Sequence, residues 1–169
     1  MTDVIVEDGS IVANSNSYTS ISGVDTYALD YAYSDWTAAT ETVKKQSLFK
    51  GMRYIESLSF KGVKQTEDQT LEFPRSDLYD RNDYLMDEDF IPSGLINATY
   101  EAAIASLPTT TVELQPSKNS DDYRTKLNIA GAITEEWYSR GRIKDRNTVI
   151  TDFLRGYVDS QYIVEIQRG

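Results

Sequence analysis

Apolar residues recur at helical spacing in four stretches of the chain, and this pattern predicts a mainly α-helical protein. The first stretch follows Ser20, a residue type that caps helices, and the second runs from about Thr40 to Phe60. The third begins at Pro92 and is ended by Pro108, because proline fits a first helical turn but cannot continue a helix. The fourth covers Thr148 to Val158. These stretches predict a small helical bundle.

The longest predicted helix carries a glycine within its apolar stripe. Its polar face holds Lys44, Lys45, Lys50 and Arg53. Because glycine in a helix interior costs about 1 kcal/mol relative to alanine, we expect Gly51 to mark a close crossing with another helix. The helix that starts at Pro92 is rich in alanine and should also pack closely. The predicted buried stripe of the longest helix is Val43, Ser47, Leu48, Gly51, Met52, Ile55 and Leu58.

Two later segments have the alternation that is typical of β-strands. Tyr123 to Tyr138 alternates around Gly131, which predicts a small hairpin or a bulged strand pair. Tyr162 to Ile166 is rich in β-branched residues and fits an extended strand.

A chain of 169 residues suits one domain. We divide it into an N-terminal arm (1–19), a helical core (20–108) with a long ordered loop (61–91), a connector with the hairpin (109–147), and a C-terminal helix and tail (148–169).

The composition excludes much of the familiar enzyme chemistry. There is no cysteine and no histidine, so disulfides, thiolate nucleophiles, imidazole bases and the commonest zinc ligands are all missing. The sequence contains no glycine-rich phosphate loop and no nucleophile elbow. No stretch approaches the roughly 18 apolar residues of a membrane span. We therefore expect a soluble, non-enzymatic protein that uses no cofactor and is made in the cytoplasm.

The net charge of −10 bears on which partners the chain can bind. An acidic protein repels DNA on average unless its basic residues cluster locally. The densest basic run is SRGRIKDR, which contains Arg140 and Arg142. These two residues could meet phosphates or an acidic partner surface, and ordinary solvation beside a helix is an equally good explanation.

The segment LEFPRSDLYDRNDYL, from Leu71 to Leu85, mixes aspartates with aromatic residues and raises the question of a metal site. A calcium-loop register that starts at Asp77 places Tyr79 and Arg81 where oxygen ligands belong, and a register that starts at Asp80 also fails. A solvated or partner-facing acidic loop is therefore favoured over a metal site.

We interpret this loop as a surface that contacts another protein. Tyrosine and arginine anchor protein interfaces, and tyrosines that stack nucleic-acid bases normally lie in positively charged grooves. Here the tyrosines lie among carboxylates. The predicted contact residues of the loop are Phe73, Pro74, Arg75, Tyr79, Arg81 and Tyr84.

The C-terminal tail is a second candidate for contact with another chain. A short strand with unpaired backbone groups can add to the sheet edge of a partner, and Ile163, Ile166 and Arg168 would then make the contacts. Pairing with the hairpin around Gly131 in the same subunit is the alternative.

Three segments of the sequence, taken in chain order, resemble a family of short tailed-bacteriophage proteins. They are VEDGSIVANSNSYTSISGVDTYA, LEFPRSDLYDRNDYL and IPSGLINATYEAAI. That family is encoded among head and neck genes, is often labelled DnaT-like single-stranded DNA-binding protein, and is similar to head-to-tail adaptor proteins. The resemblance spans nearly the whole chain. The family usually has tryptophan before the Pro-Arg pair, where this chain has Phe73, and residues 109–122 match poorly.

The resemblance implies a subunit of a twelve-membered ring that lies beneath the portal in the neck of the virion. Such a ring extends the DNA channel and docks the tail or a second neck protein, so double-stranded DNA passes through it without sequence-specific contact. The acidic charge agrees with this role, because an acidic wall would not hold phosphates. The alternative is a single-stranded DNA-binding protein, which would need a positive track.

Overall fold

The computed structural model describes residues 2–80, 84–110, 114, 125–129, 133–137 and 148–158. The described chain is mainly helical, which confirms the predicted fold class. Its elements in chain order are α1 (Ile21–Asp30), α2 (Ser34–Ala38), α3 (Glu41–Glu56), β1 (Val63–Lys64), β2 (Arg75–Ser76), α4 (Ser93–Ala105), β3 (Thr125–Ile129), β4 (Ile133–Trp137) and α5 (Thr148–Leu154).

The chain divides into two compact units. One unit contains residues 1–114 and 147–169, and the other contains residues 115–146. The described part of the second unit is an antiparallel hairpin in which β3 pairs with β4, with Thr125 opposite Trp137 and Ile129 opposite Ile133. This pairing confirms the hairpin predicted around Gly131.

Side-chain caps fix where two of the helices begin. The Ser20 hydroxyl accepts a hydrogen bond from the Gly23 N–H at 3.1 Å, and α1 starts at the next residue. The Thr40 hydroxyl similarly accepts from the Val43 N–H at 3.4 Å and caps α3. Both starts agree with the sequence prediction. Helix α3 ends at Glu56, four residues before the predicted end.

The close helix crossing expected at Gly51 is present between α3 and α4. A Cβ atom at Gly51 would lie 2.7 Å from the backbone carbon of Ala102 and 2.7 Å from the backbone nitrogen of Ala103. The two backbones can approach this closely because small residues face each other. The side chains buried on either side of the crossing are Ser47, Leu48, Met52 and Ile55 on α3, and Leu95, Ala98 and Thr99 on α4.

The two short helices differ from the sequence expectations. Helix α2 was not predicted, because five residues are too few to show a period. It buries Trp36, whose indole N–H donates to Asp25 at 2.7 Å. Helix α5 ends at Leu154, four residues before the predicted end, and it buries Ile150 and Leu154 while Val149 is exposed. No helix within the described residues is long and apolar enough to cross a membrane.

Replacing Gly51 with alanine should destabilise the first unit. The added methyl group would overlap the α4 backbone, and overpacking of this kind costs about 1–3 kcal/mol, which outweighs the roughly 1 kcal/mol that alanine gains in helix propensity. Urea unfolding of Gly51→Ala measures the change in the free energy of unfolding. Gln46→Ala, at an exposed position of the same helix, should change it by less than about 0.5 kcal/mol. Equal stability of the two variants would contradict the close crossing.

Candidate protein-contact site

The first half of the acidic, aromatic loop is buried in the chain's own core. Phe73 has no exposed surface and packs edge-on against Phe60 and Tyr18, with ring centroids 5.0 and 6.1 Å away. Pro74 is also fully buried, and the Phe73–Pro74 peptide bond is cis. Phe73 therefore supplies core packing in this chain.

Arg75 is buried and uses its guanidinium to hold backbone carbonyl groups together. Its Nε donates to the Lys61 carbonyl at 2.7 Å, and one terminal nitrogen donates to the carbonyls of Phe60 and Gly62 at 3.3 and 2.9 Å. The other terminal nitrogen donates to the Glu72 carbonyl at 3.1 Å and to its carboxylate at 2.6 Å. The five hydrogen bonds match the five N–H groups that a guanidinium carries.

The expectation that Phe73, Pro74 and Arg75 contact another protein is corrected by this geometry. Their side chains are covered by residues of their own chain, so they have almost no surface left to offer a partner. The sequence predicted that these three residues lie at the surface, because their segment shows no apolar periodicity. The five hydrogen bonds of Arg75 depend on tertiary structure, so they produce no periodic pattern in the sequence.

A buried tyrosine and glutamate fasten the same segment to α3. The Tyr18 hydroxyl donates to one Glu56 carboxylate oxygen at 2.5 Å and accepts from the Phe73 N–H at 3.0 Å. The other Glu56 oxygen accepts from the Glu72 N–H at 3.0 Å. Burial raises the pKa of the Glu56 carboxyl, and the hydrogen bonds from Tyr18 and Glu72 lower it by less. Burial also raises the pKa of Tyr18, so this phenol stays protonated and donates.

The N-terminal arm is folded against the far end of the loop. The carboxylate of Glu7, which is buried, accepts hydrogen bonds from the backbone N–H groups of Gly9, Ile11 and Val12 at 2.9–3.0 Å. Gly9 has φ +104°, and a Cβ atom there would lie 1.8 Å from the carbonyl oxygen of Asp89. The Glu-Asp-Gly sequence therefore shapes a turn that packs on the loop.

The second half of the loop is exposed and presents apolar side chains to solvent. Tyr84 is 71% exposed and Leu85 is 63% exposed, while Tyr79 and Phe90 each expose about half of their surface. Of the residues predicted to make protein contacts, Tyr79 and Tyr84 thus have surface available for a partner. The contact itself stays a prediction.

Backbone hydrogen bonds give this exposed half a defined shape. Tyr79 and Leu85 form an antiparallel bridge, and the Met86 N–H donates to the Leu78 carbonyl at 2.8 Å. The Asp80 carboxylate accepts from the Tyr84 N–H at 2.9 Å, while the Asp80 N–H donates to the Tyr84 carbonyl at 2.9 Å. The described residues 77–80 and 84–90 therefore form an ordered turn.

The charge around this turn is negative. Asp77, Asp87, Glu88 and Asp89 are exposed carboxylates that flank the apolar side chains. Within the described residues, no three acidic side chains lie close enough together to hold a metal ion. The turn thus combines exposed aromatic area with carboxylates.

A second aromatic cluster was missed by sequence reasoning. Tyr27, in α1, lies 4.5 Å from Tyr31, 4.9 Å from Tyr100 and 6.3 Å from Tyr33, measured between ring centroids. The hydroxyls of Tyr27 and Tyr33 donate to the same carboxylate oxygen of Glu101, at 2.7 and 2.8 Å. We call these five residues the tyrosine cluster. The four-residue spacing of Tyr27 and Tyr31 was the available signal, but Tyr33 and Glu101 join the cluster through tertiary packing.

The remaining candidate contact residues lie outside the described residues. They are Arg81, Arg140, Arg142, Ile163, Ile166 and Arg168.

Comparison with known proteins assigns the chain to a family. A family model described as "Putative DnaT-like ssDNA binding protein" matches residues 2–169, so the chain belongs to this family. No curated protein and no solved structure matches the chain.

Arg75→Lys should destabilise the fold, because the Arg75 side chain is buried and leaves almost no surface for a partner. Lysine has three N–H groups and lacks the planar fork, so several buried carbonyls would lose their donors, at a cost of at least about 2 kcal/mol in the free energy of unfolding. Urea unfolding measures this loss. The exposed Arg53→Lys on α3 is the control and should stay within about 0.5 kcal/mol of the unsubstituted chain. Unchanged stability of Arg75→Lys would show that the guanidinium is not a core element.

The raised pKa of Glu56 predicts a specific dependence of stability on pH. Because the folded chain holds the Glu56 proton more tightly than the unfolded chain does, this group contributes stability at pH values below its unfolded pKa. That contribution is lost as the pH rises through the folded pKa. The free energy of unfolding of the unsubstituted chain, minus that of Glu56→Gln, should therefore fall as the pH rises from about 4 to 7. Urea unfolding across this range tests the sign, and a difference that rises with pH would contradict it.

Proposed function

We propose that this chain is a structural head-to-tail adaptor of a tailed phage, which assembles into a ring of about twelve copies beneath the portal. In this role it extends the DNA channel during genome packaging and ejection, and it docks the tail or a second neck protein. It carries out no catalysis and needs no cofactor. The support comes from the exposed turn, the charge of the chain, and the resemblance of its sequence to phage neck proteins.

The observation that carries the proposal is the exposed apolar surface of the ordered turn. Tyr84 and Leu85 present most of their side chains to water, although backbone hydrogen bonds fix the turn that carries them. Exposed apolar patches on a protein surface commonly mark a protein contact, and Tyr84 and Leu85 are neighbours in the sequence on this segment. Tyrosine supplies such contact area at a low entropy cost, because it has few rotatable bonds.

The electrostatics of the turn favour a protein partner over a nucleic acid. Asp87, Glu88 and Asp89 are exposed on the same segment as the aromatic side chains, and the chain as a whole carries −10. Carboxylates in these positions would repel the phosphates of any strand that stacked its bases on the tyrosines. An acidic ring would instead let duplex DNA slide past without tight contacts.

Single-stranded DNA binding is the second candidate function, and the description of the family favours it. The chain contains twelve tyrosines, and exposed aromatic rings can stack unpaired bases. For this function the basic residues of the run around Arg140 and Arg142 would have to supply the phosphate contacts.

The adaptor function is tested by observing the purified protein with a portal protein. Negative-stain electron microscopy and mass photometry should show rings or ring-portal complexes. The double variant Tyr84→Ser, Leu85→Ser should fold normally by circular dichroism yet lose assembly by at least about tenfold in concentration, since it removes two apolar contacts. Val149→Ser, at an exposed apolar position of α5, is the matched control and should assemble normally. A monomeric protein that does not bind portal would contradict the proposal.

A binding assay with oligo(dT) separates the two candidate functions. The adaptor function predicts no measurable binding of the single strand at physiological salt. The alternative predicts tight binding that weakens steeply as the salt concentration rises, because phosphate contacts release counterions. Salt-dependent binding by a protein that forms no rings would replace the adaptor proposal with the alternative.

A further inference from the structure

The solvent-facing side of α3 is basic, although the chain as a whole carries −10. Residues 44–53 of this helix include four basic side chains and no acidic one. Two of the four, Lys44 and Lys45, are already paired with aspartates of their own chain, at 2.8 and 3.1 Å. The positive charge that remains for a partner therefore belongs to the other two, Lys50 and Arg53.

Lys50 and Arg53 present this charge on one face of the helix. Both are exposed, and neither has an ion-pair partner within the described part of the chain. Side chains three positions apart in a helix are neighbours on its surface. We call these two residues the basic face of α3. An acidic surface is the partner that complements this charge.

The exposed turn (residues 77–80 and 84–90) has the opposite charge. Its three consecutive carboxylates, residues 87–89, are exposed, and Tyr84 and Leu85 are 71% and 63% exposed. An arginine guanidinium can stack on a tyrosine ring, and tyrosine and arginine are the residues that most often anchor protein interfaces. The aliphatic stem of lysine can cover apolar area while its ammonium group meets a carboxylate. The charge and the side-chain types of the turn thus both match the basic face.

We infer that the basic face of α3 binds the exposed turn of a second copy of this chain. This inference rests on the proposed self-assembly and names the two surfaces that would join neighbouring subunits. Because the two surfaces are different, a copy that binds one neighbour through its turn keeps its basic face free for another. Rings are built from head-to-tail contacts of this kind.

The charge pattern disfavours two other occupants of the basic face. A single strand of DNA needs a positive track along its backbone, and two unpaired cations on an acidic chain supply little of one. A second copy could instead present the end of α1, where Leu29 and Tyr31 are exposed. Between them the chain carries one carboxylate, Asp30, so the three carboxylates of the turn complement two cations better.

Charge reversal tests the contact. Lys50→Glu with Arg53→Glu makes the face acidic, and Asp87→Lys with Glu88→Lys makes the turn basic. Each double variant should self-associate at least about tenfold more weakly than the unsubstituted chain, because like charges would then meet. A mixture of the two double variants should recover to within about threefold, since every contact between unlike copies then joins opposite charges. Mass photometry over a concentration series measures the association, and circular dichroism checks that each variant is folded.

Matched controls change the net charge by the same amounts at other exposed positions. Asp30→Lys with Asp35→Lys is the control for the turn, and Lys61→Glu with Arg155→Glu is the control for the basic face. Each should leave association within about twofold of the unsubstituted chain. Controls that weaken association as much as the test variants, or a mixture that does not recover, would overturn the inference.

Zero-length cross-linking shows which surfaces meet in the unsubstituted chain. A carbodiimide joins a lysine amine to a carboxylate with which it forms an ion pair, and mixing copies of natural and heavy nitrogen content identifies links between copies. Lys50 should be linked to one of residues 87–89 of a differently labelled copy. Lys50→Arg keeps the charge but removes the amine, so it should associate normally and lose this link.

The results separate failure of this contact from failure of the adaptor function. Rings that bind portal but do not respond to charge reversal would overturn the contact and leave the adaptor function intact. Association through the contact without portal binding would support the contact and contradict the adaptor function. A chain that stays monomeric would overturn both. Weaker oligo(dT) binding by Lys50→Glu with Arg53→Glu, at unchanged self-association, would assign the basic face to nucleic acid and overturn the inference.

Discussion

The buried guanidinium of Arg75 is the interaction on which the organisation of the long loop depends. Its five N–H groups join the carbonyls of residues 60–62 to Glu72, so the chain leaving α3 and the chain returning from the loop are held side by side. The rings of Phe60 and Phe73 pack edge to face in the core beside it. Because Arg75 holds the loop at its base, the described residues after Leu78 can keep their backbone hydrogen bonds while they are exposed to solvent.

One continuous segment thus divides into a structural half and a surface half. Residues up to Leu78 are anchored by Tyr18, Glu56 and Arg75, whereas the described residues 79–80 and 84–90 expose aromatic and apolar area among carboxylates. The exposed carboxylates around this surface contrast with the positive charge that base-stacking platforms use to hold phosphates. The acidic charge of the chain therefore favours a protein contact, whereas the description of its family favours single-stranded DNA binding.

The candidate site could be predicted only in part from the sequence. The mixture of tyrosine, arginine and aspartate in residues 71–85 directed attention to this loop, and Tyr79 and Tyr84 have the exposure that a contact requires. The same residue types did not reveal that Phe73 and Arg75 are buried. Arginine is usually a surface residue, and its burial depends on acceptors that come from residues 60–62, which no local pattern signals.

The sequence by itself determined the helical architecture and the hairpin, because caps, prolines and residue spacing act locally along the chain. It also indicated a close helix crossing at Gly51, since a glycine among apolar residues has few other uses in a helix interior, but only the structure showed that α4 is the partner. The tertiary structure alone decided the burial of Arg75 and the meeting of Tyr33 with Glu101. Those contacts join residues 13–15 and 68 positions apart, so their partners are chosen by packing rather than by any periodicity in the sequence.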